Sequence, residues 1–113
     1  MSAQTQAFHQ ALGSLCAALE PDSIPLPEVG QVWSRFDAIE RLASGAKCRL
    51  ASRVEQSRSW ARDGDRSAAD WMARSSGTTA ARARAVLEAS RRLRALAATD
   101  AALAQGALSG PQA

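Results

Sequence analysis

Arginine is the residue type in this chain whose spacing could support binding chemistry. Residues 66–94 contain seven arginines and two acids, Asp70 and Glu88, which gives the segment a charge of +5. Residues 1–34 contain no Lys or Arg and three acids, so they carry −3. A guanidinium group binds phosphate or guanine through two parallel hydrogen bonds. The charge pattern therefore favours an anionic partner, with an ordinary solvated helix face as the equally weighted alternative.

The arginines fall on two predicted helices that are joined by a glycine turn. Ser67, three residues before Asp70, approximates a capping box at the start of a short helix. Gly77 suits a left-handed turn position, and Thr78 or Thr79 can cap the next helix. A short helix, a turn and a longer arginine-rich helix outline a helix-turn-helix-like pair over about residues 67–98.

In a helix-turn-helix the second helix enters the major groove and its first residues reach base edges. At 100° per residue, Arg84, Arg91 and Arg92 can point away from a core stripe centred near Leu87, whereas Arg94 lies at its edge. From charge and placement, the predicted DNA-contacting residues are Arg66, Arg74, Thr79, Arg82, Arg84, Arg91 and Arg92.

The chain lacks the residue combinations that catalysis needs. It has one histidine, His9, and no asparagine, and its acids are scattered among arginines. Neither a phosphate-binding glycine loop nor a zinc-type cysteine spacing is present. We therefore expect no catalytic site, metal, cofactor or small-molecule substrate.

Cys16 and Cys48 are predicted to be buried reduced thiols in a cytoplasmic protein. The sequence contains no run of 18 apolar residues, so it predicts no membrane span.

Composition and periodicity predict an all-α fold, because β-branched residues are scarce and alanine and arginine favour helix. We expect an N-terminal helix over residues 1–20, a Pro-rich linker over 21–29 and a helical domain over 30–113. A long helix from about 30 to 62 carries an apolar stripe with steps of three and four, including Trp33 and Leu50. Trp33, Trp60 and Trp71 are predicted to lie in the core.

The end of the sequence predicts further helix boundaries. The arginine-rich helix should end near Ala98, with core positions that include Leu93 and Ala97. A short helix should cover about 100–105 and end at Gly106. Ser109 followed by Pro111 is typical of a helix start, which suggests that the sequence is a fragment of a longer protein.

Several short motifs resemble a known family. They are Arg66-Ser67-Ala68-Ala69-Asp70-Trp71-Met72-Ala73-Arg74, Gly77-Thr78, Ala83-Arg84, Arg91-Arg92-Leu93, and Ala101 to Ser109. This series is similar to the domain of unknown function 222 family, also called the 13E12 repeat family. Leu96-Ala97 departs from its usual Leu-Pro, and Met72 from its usual Leu. The resemblance implies the N-terminal part of a larger protein that often carries an HNH endonuclease domain beyond this segment.

Two functions follow as hypotheses. The first is a non-catalytic module that contacts double-stranded DNA for an HNH-type endonuclease. The second is a helical interaction module that pairs with a partner or forms a homodimer through helix 30–62, without binding nucleic acid. The first predicts DNA affinity that falls steeply with salt, whereas the second predicts a concentration-dependent dimer.

Overall fold

The computed structural model describes the backbone of residues 1–109 and the side chains of residues 1–101. Over this range the chain is all-α, as the sequence predicts. The helices are α1 (Ser2–Ala17), α2 (Leu26–Ser57), α3 (Ser59–Arg62), α4 (Ala68–Ser76) and α5 (Ala80–Ser109), with a 3₁₀ turn at Pro21–Ser23. They divide into two compact units, Met1–Ile39 and Glu40–Ala113.

The N-terminal unit comprises α1, the 3₁₀ turn and the first part of α2, and it buries none of its residues. The predicted linker over 21–29 is shorter than expected, because α2 already begins at Leu26. Pro27 fits the first helical turn, where the amide hydrogen that proline lacks would have no partner. Cys16, predicted to be buried, is exposed, because α1 has no covering element around that position.

The C-terminal unit holds the core. Its buried apolar residues are Ala51, Ala68, Ala69, Ala83 and Leu87, and Trp60, Met72, Ala73 and Val86 pack around them. Two buried serines join α2 to α5, since the Ser52 amide donates to Ser90 Oγ at 3.0 Å. Four of the five core residues are alanines, so helix backbones approach one another closely and little side-chain volume fills the interior.

The predicted helix-turn-helix-like pair is α4 followed by α5, and its caps are confirmed. Ser67 Oγ accepts a hydrogen bond from the Asp70 amide at 3.1 Å. Gly77 ends α4 with φ 67°, a left-handed conformation that glycine adopts without the clash a Cβ would cause. Thr79 Oγ1 accepts from the Arg82 amide at 3.1 Å and so begins α5.

The long helix predicted to continue to residue 62 is interrupted at Arg58. Arg58 adopts φ 57° and ψ 14°, and α3 starts directly after it. Local hydrogen bonds favour the break: Ser57 Oγ donates to the Val54 carbonyl at 2.7 Å, and the Trp60 indole donates to the Glu55 carbonyl at 3.0 Å. Such bonds compete with helix propagation for the same backbone groups. The apolar periodicity gave no sign of them.

Several predicted core positions lie at the surface. Trp33 is 69% exposed, and Leu50, Leu93 and Ala97 are also exposed. Trp60 and Trp71 are half-buried. The predicted helical period was right. In the described part of the chain, however, no further helix covers all of these apolar positions. No side chain in residues 91–101 is buried or half-buried.

The predicted stop near Ala98 and the separate helix over 100–105 are wrong, because α5 runs without a break to Ser109. Thr99 Oγ1 donates to the Ala95 carbonyl inside the helix at 2.9 Å. A single glycine costs a helix interior only about 1 kcal/mol, so Gly106 does not end it. The predicted helix start at Ser109 and Pro111 extends into residues 110–113, which lie outside the described residues.

Candidate nucleic-acid interface

Over residues 80–101, whose side chains the structure describes, helix α5 packs mainly through one side and leaves the opposite side exposed. Ala83, Leu87 and Ser90 are buried and Val86 is half-buried, all within one side of the helix. Every arginine of α5 is exposed. The helix therefore presents its guanidinium groups outward.

In three of the predicted contact residues the guanidinium group makes no hydrogen bond or ion pair with any residue whose side chain the structure describes: Arg66, Arg82 and Arg84. All three are exposed. Arg82 and Arg84 lie two positions apart and hence point about 160° away from each other around the helix. They flank the buried stripe on opposite sides and do not form a single patch.

Three other predicted contact residues are already paired with carboxylates. Arg74 donates from Nε and Nη2 to the two oxygens of Asp65, at 3.2 and 2.6 Å. Arg91 binds Glu55 in the same two-pronged way, with Nε 3.1 Å from Oε1. Arg92 Nη2 lies 2.9 Å from Glu88 Oε1. An anion that binds these arginines must compete with a protein carboxylate.

These pairs shift the ionisation of their members. The hydrogen bond and charge of Arg74 hold the pKa of Asp65 below its ordinary value, although partial burial opposes the shift. Asp65 in turn raises the pKa of Arg74, and Glu55 raises that of Arg91. The arginine side chains remain 54–73% exposed in the three pairs, so solvent screens the attraction.

Two grooves in the described part of the C-terminal unit are lined by three of the five arginines of α5, namely Arg82, Arg84 and Arg91. One contains Arg84 and Arg91 with the acids Glu55 and Glu88, so its charges are balanced. The other lies between α2 and α5 and contains Arg41, Lys47 and Arg82 with one acid, Glu40. The predicted contact residues are therefore distributed over more than one surface, and Thr79 serves as the α5 cap.

Sequence reasoning missed Lys47 and the carboxylate partners. The Glu88–Arg92 pair was visible as an i, i+4 spacing on one helix. Asp65 and Arg74 are nine residues apart, and Glu55 and Arg91 are 36 apart. Their pairing depends on how α2, α4 and α5 pack, which no local pattern encodes. Lys47 showed no signal because the predicted motif began only at Ser67.

Other classes of site find no support in the residues that the structure describes. No group of three or more His, Cys, Asp or Glu side chains there could hold a metal ion. None of the helices in that part of the chain has the length and apolar character needed to cross a bilayer.

Comparison with known proteins adds no relative. No protein-family model matches the sequence, and no curated protein or solved structure is significantly similar to this chain.

Proposed function

We propose that this chain is a non-catalytic helical domain that contacts double-stranded DNA through α5. One observation carries the proposal: α5 follows a glycine turn in a helix-turn-helix-like pair and exposes Arg82 and Arg84, which have no carboxylate partner among the side chains described. In that motif the start of the second helix is the part that meets DNA. Unpaired arginines at this place can bind phosphate without first breaking an internal ion pair.

The paired arginines fit a secondary role. Exposed ion pairs contribute little stability, typically below about 1 kcal/mol, so a phosphate can replace the carboxylate at modest cost. Arg74, Arg91 and Arg92 would then strengthen binding after Arg82, Arg84 and Arg66 have made the first contacts. Their carboxylates also limit non-specific attraction, because they lower the local positive potential.

The likeness of residues 66–109 to the domain of unknown function 222 family supports a place beside an HNH-type nuclease domain. We infer that this chain would position DNA for such a domain and would contribute no catalytic residue. The resemblance rests on short motifs in the α4–α5 region, and the same region contains the proposed contact surface.

The test is binding to a fluorescent DNA duplex across a range of salt concentrations. Each phosphate contact contributes about 0.9 to the slope of log K against log salt. Arg82→Ala with Arg84→Ala should lower the slope by about 1.8. The matched control is Arg35→Ala with Arg49→Ala, which removes the same charge from exposed positions on α2. Equal loss in both double variants would show only a net-charge effect and would contradict a contact role for α5.

A second set of variants tests Arg91 and Arg92, which are paired with carboxylates, together with the unpaired Arg84. Replacing Arg84, Arg91 and Arg92 together by alanine should flatten the salt slope. Glu55→Gln should tighten binding, because it weakens the hold on Arg91 while leaving the arginine in place. Unchanged binding in the triple variant would remove these residues from the interface, and weaker binding by Glu55→Gln would contradict the competition between carboxylate and phosphate.

Self-association is the second candidate, and exposed apolar surface in the N-terminal unit favours it. One groove there is almost free of polar groups. Its lining is apolar and includes Leu19, Ile24, Val29 and Trp33. Val29, Trp33 and Phe36 on α2 are spaced by four and three, the spacing with which identical helices pair. We therefore propose a second copy of this chain as the occupant of this groove.

Sedimentation at increasing protein concentration tests this candidate. The wild-type chain should form a dimer, and Trp33→Ser should weaken it because Trp33 is 69% exposed within the apolar groove. Leu26→Ser is the control, since Leu26 is 88% exposed in the same unit but does not line the groove. A wild-type chain that stays monomeric at high concentration would rule the dimer out.

A further inference from the structure

The second groove of the C-terminal unit contains cations that the helix-turn-helix-like pair does not supply. This groove encloses a space of about 600 Å³ between α2 and α5. Arg82 lines it from α5, and the residues that line it from α2 are Glu40, Arg41, Ala43, Ser44 and Lys47. Three positive side chains face one negative side chain, so the groove has a charge of +2. A surface of this charge attracts anions.

Two of these cations are available for a ligand. Lys47 and Arg82 are exposed, and the Lys47 ammonium and the Arg82 guanidinium make no hydrogen bond or ion pair within residues 1–101. Arg41 already has an interaction partner, so the inference does not depend on it. The first turn of α5 contains no acidic residue to neutralise the positive end of that helix.

We infer that Lys47 and Arg82 bind one phosphate group of the DNA backbone together, so that α2 as well as α5 contacts the duplex. The inference rests on the proposed DNA-binding function and extends it to a residue outside the α4–α5 pair. Lysine acts as a compact point charge and arginine as a planar fork, and the two together suit one phosphate that is approached from two helices. Such a contact fixes the orientation of the protein on the duplex without reading its sequence.

The groove also differs chemically from the one that contains Arg84 and Arg91. In that groove the charges of Glu55 and Glu88 balance those of the two arginines, and an anion that binds Arg91 must displace Glu55. In the α2–α5 groove Glu40 is the single acid among the lining residues, and an anion that binds Lys47 and Arg82 breaks no ion pair of these two residues within residues 1–101. We therefore expect the α2–α5 groove to make the stronger phosphate contact of the two.

The experiment measures duplex affinity against salt for the full chain and its Lys47 variants. Lys47→Ala should weaken binding and lower the salt slope by less than about 0.9, because Arg82 still holds the shared phosphate. Lys47→Ala with Arg82→Ala should lower it by about 0.9, roughly an eightfold loss of affinity at 0.1 M salt. Lys47→Arg should keep the wild-type slope because it retains the charge. Arg49→Ala is the matched control, since Arg49 is also an exposed cation of α2 but does not line the groove.

A double variant tests whether the two residues share one phosphate. Lys47→Ala combined with Arg82→Ala should cost less affinity than the sum of the single changes, because contacts to one group are not additive. Additive losses, or a Lys47→Ala variant that behaves like Arg49→Ala while the wild type still binds, would overturn the shared site and leave the proposed function intact. A wild-type chain without duplex affinity would overturn both. Circular dichroism of each variant checks that the helices are retained.

Discussion

The two units of this chain use apolar residues in opposite ways. The N-terminal unit contains large apolar side chains, among them Phe8, Leu19 and Trp33, but buries no residue. The C-terminal unit buries mainly alanines with one leucine, and it completes its interior with a pair of serines. Apolar content therefore does not indicate where the core lies. The number of helices that meet at a point decides burial.

Charge follows the same division. Residues 1–34 carry −3, whereas the seven arginines of residues 66–94 lie in the unit that has the core. The core of the C-terminal unit fixes α4 and α5. Five of the seven proposed contact residues lie on these two helices, and a sixth, Thr79, caps the start of α5. The N-terminal unit has an uncovered apolar groove instead. The charged surface is the basis for the proposed DNA contact, and the apolar groove is the basis for the proposed dimer.

Leu87→Ala should have the largest effect on stability, because Leu87 is the one large side chain of the described core and is 3% exposed. A buried Leu→Ala change costs about 2–5 kcal/mol, and the small core leaves little other packing to compensate. Trp33→Ala in the N-terminal unit should change the free energy of unfolding by less than about 0.5 kcal/mol in dilute protein, because an exposed surface substitution seldom does more.

Urea unfolding followed by circular dichroism measures both values. Leu42→Ala serves as the control for leucine truncation, since Leu42 is 74% exposed. The contrast between the units fails if Trp33→Ala destabilises the monomer as strongly as Leu87→Ala does.

Replacement of the buried serine should have the next largest effect. Ser90 is fully buried and its Oγ accepts the Ser52 amide across the α2–α5 contact. Ser90→Ala removes that acceptor from a buried donor, at a cost of about 1–3 kcal/mol. Ser34→Ala on the exposed part of α2 is the matched change in the N-terminal unit and should be close to neutral. A neutral Ser90→Ala variant would mean that the serine pair does not join the helices.

Loss of the α4 cap should cost about 1 kcal/mol. Ser67→Ala leaves the Asp70 amide without its side-chain acceptor, and α4 has only nine residues with which to absorb the loss. Ser2→Ala in the first turn of α1 should have no comparable effect, because α1 begins without a side-chain cap. Differential unfolding curves of the two variants check this, and a Ser67→Ala curve that overlies the wild type would contradict a capping role.

Local patterns predicted what depends on few residues. Spacing within one or two helical turns was enough to predict the two helix caps, at Ser67 and Thr79, and the turn at Gly77. It also predicted the outward position of Arg84 and Arg91, and the structure has all of these features. The break at Arg58 did not follow, because it depends on hydrogen bonds from Ser57 and Trp60 that an apolar stripe does not encode.

Contacts between residues far apart in the sequence could not be predicted either, because local patterns do not encode them. The Arg91–Glu55 pair and the meeting of Lys47 with Arg82 across one groove depend on the packing of α2 against α5. Ser52 and Ser90, 38 residues apart, help to set that packing through a single hydrogen bond. One sequence offers no means to recognise two serines as partners. The candidate site could therefore be predicted as a list of arginines but not as two grooves of different charge.

The smallest expected effect is the pH dependence that Asp65 contributes within the C-terminal unit. Its pKa is lowered from the ordinary 3.8 by the hydrogen bond from Arg74, so the ionised form is favoured by folding. The stabilisation is present above the ordinary value and is lost as pH falls through the lowered pKa of the folded chain. Asp65→Asn removes the ionised partner of Arg74. The wild type should therefore exceed this variant in stability at pH 6, and the difference should shrink below pH 3.8.

Urea unfolding at pH 6, 4 and 2.5 measures the difference between the wild type and Asp65→Asn. Asp100→Asn is the control, because Asp100 is exposed on α5 and makes no ion pair within the part of the chain whose side chains are described. Since Arg74 is 59% exposed, solvent screening keeps the Asp65 effect small, and the pair contributes less than the buried Leu87 and Ser90. A gap between wild type and Asp65→Asn that stays constant from pH 6 to pH 2.5 would show that Asp65 acts through neutral hydrogen bonds, and the ion pair would then have no part in holding α4 to the loop before it.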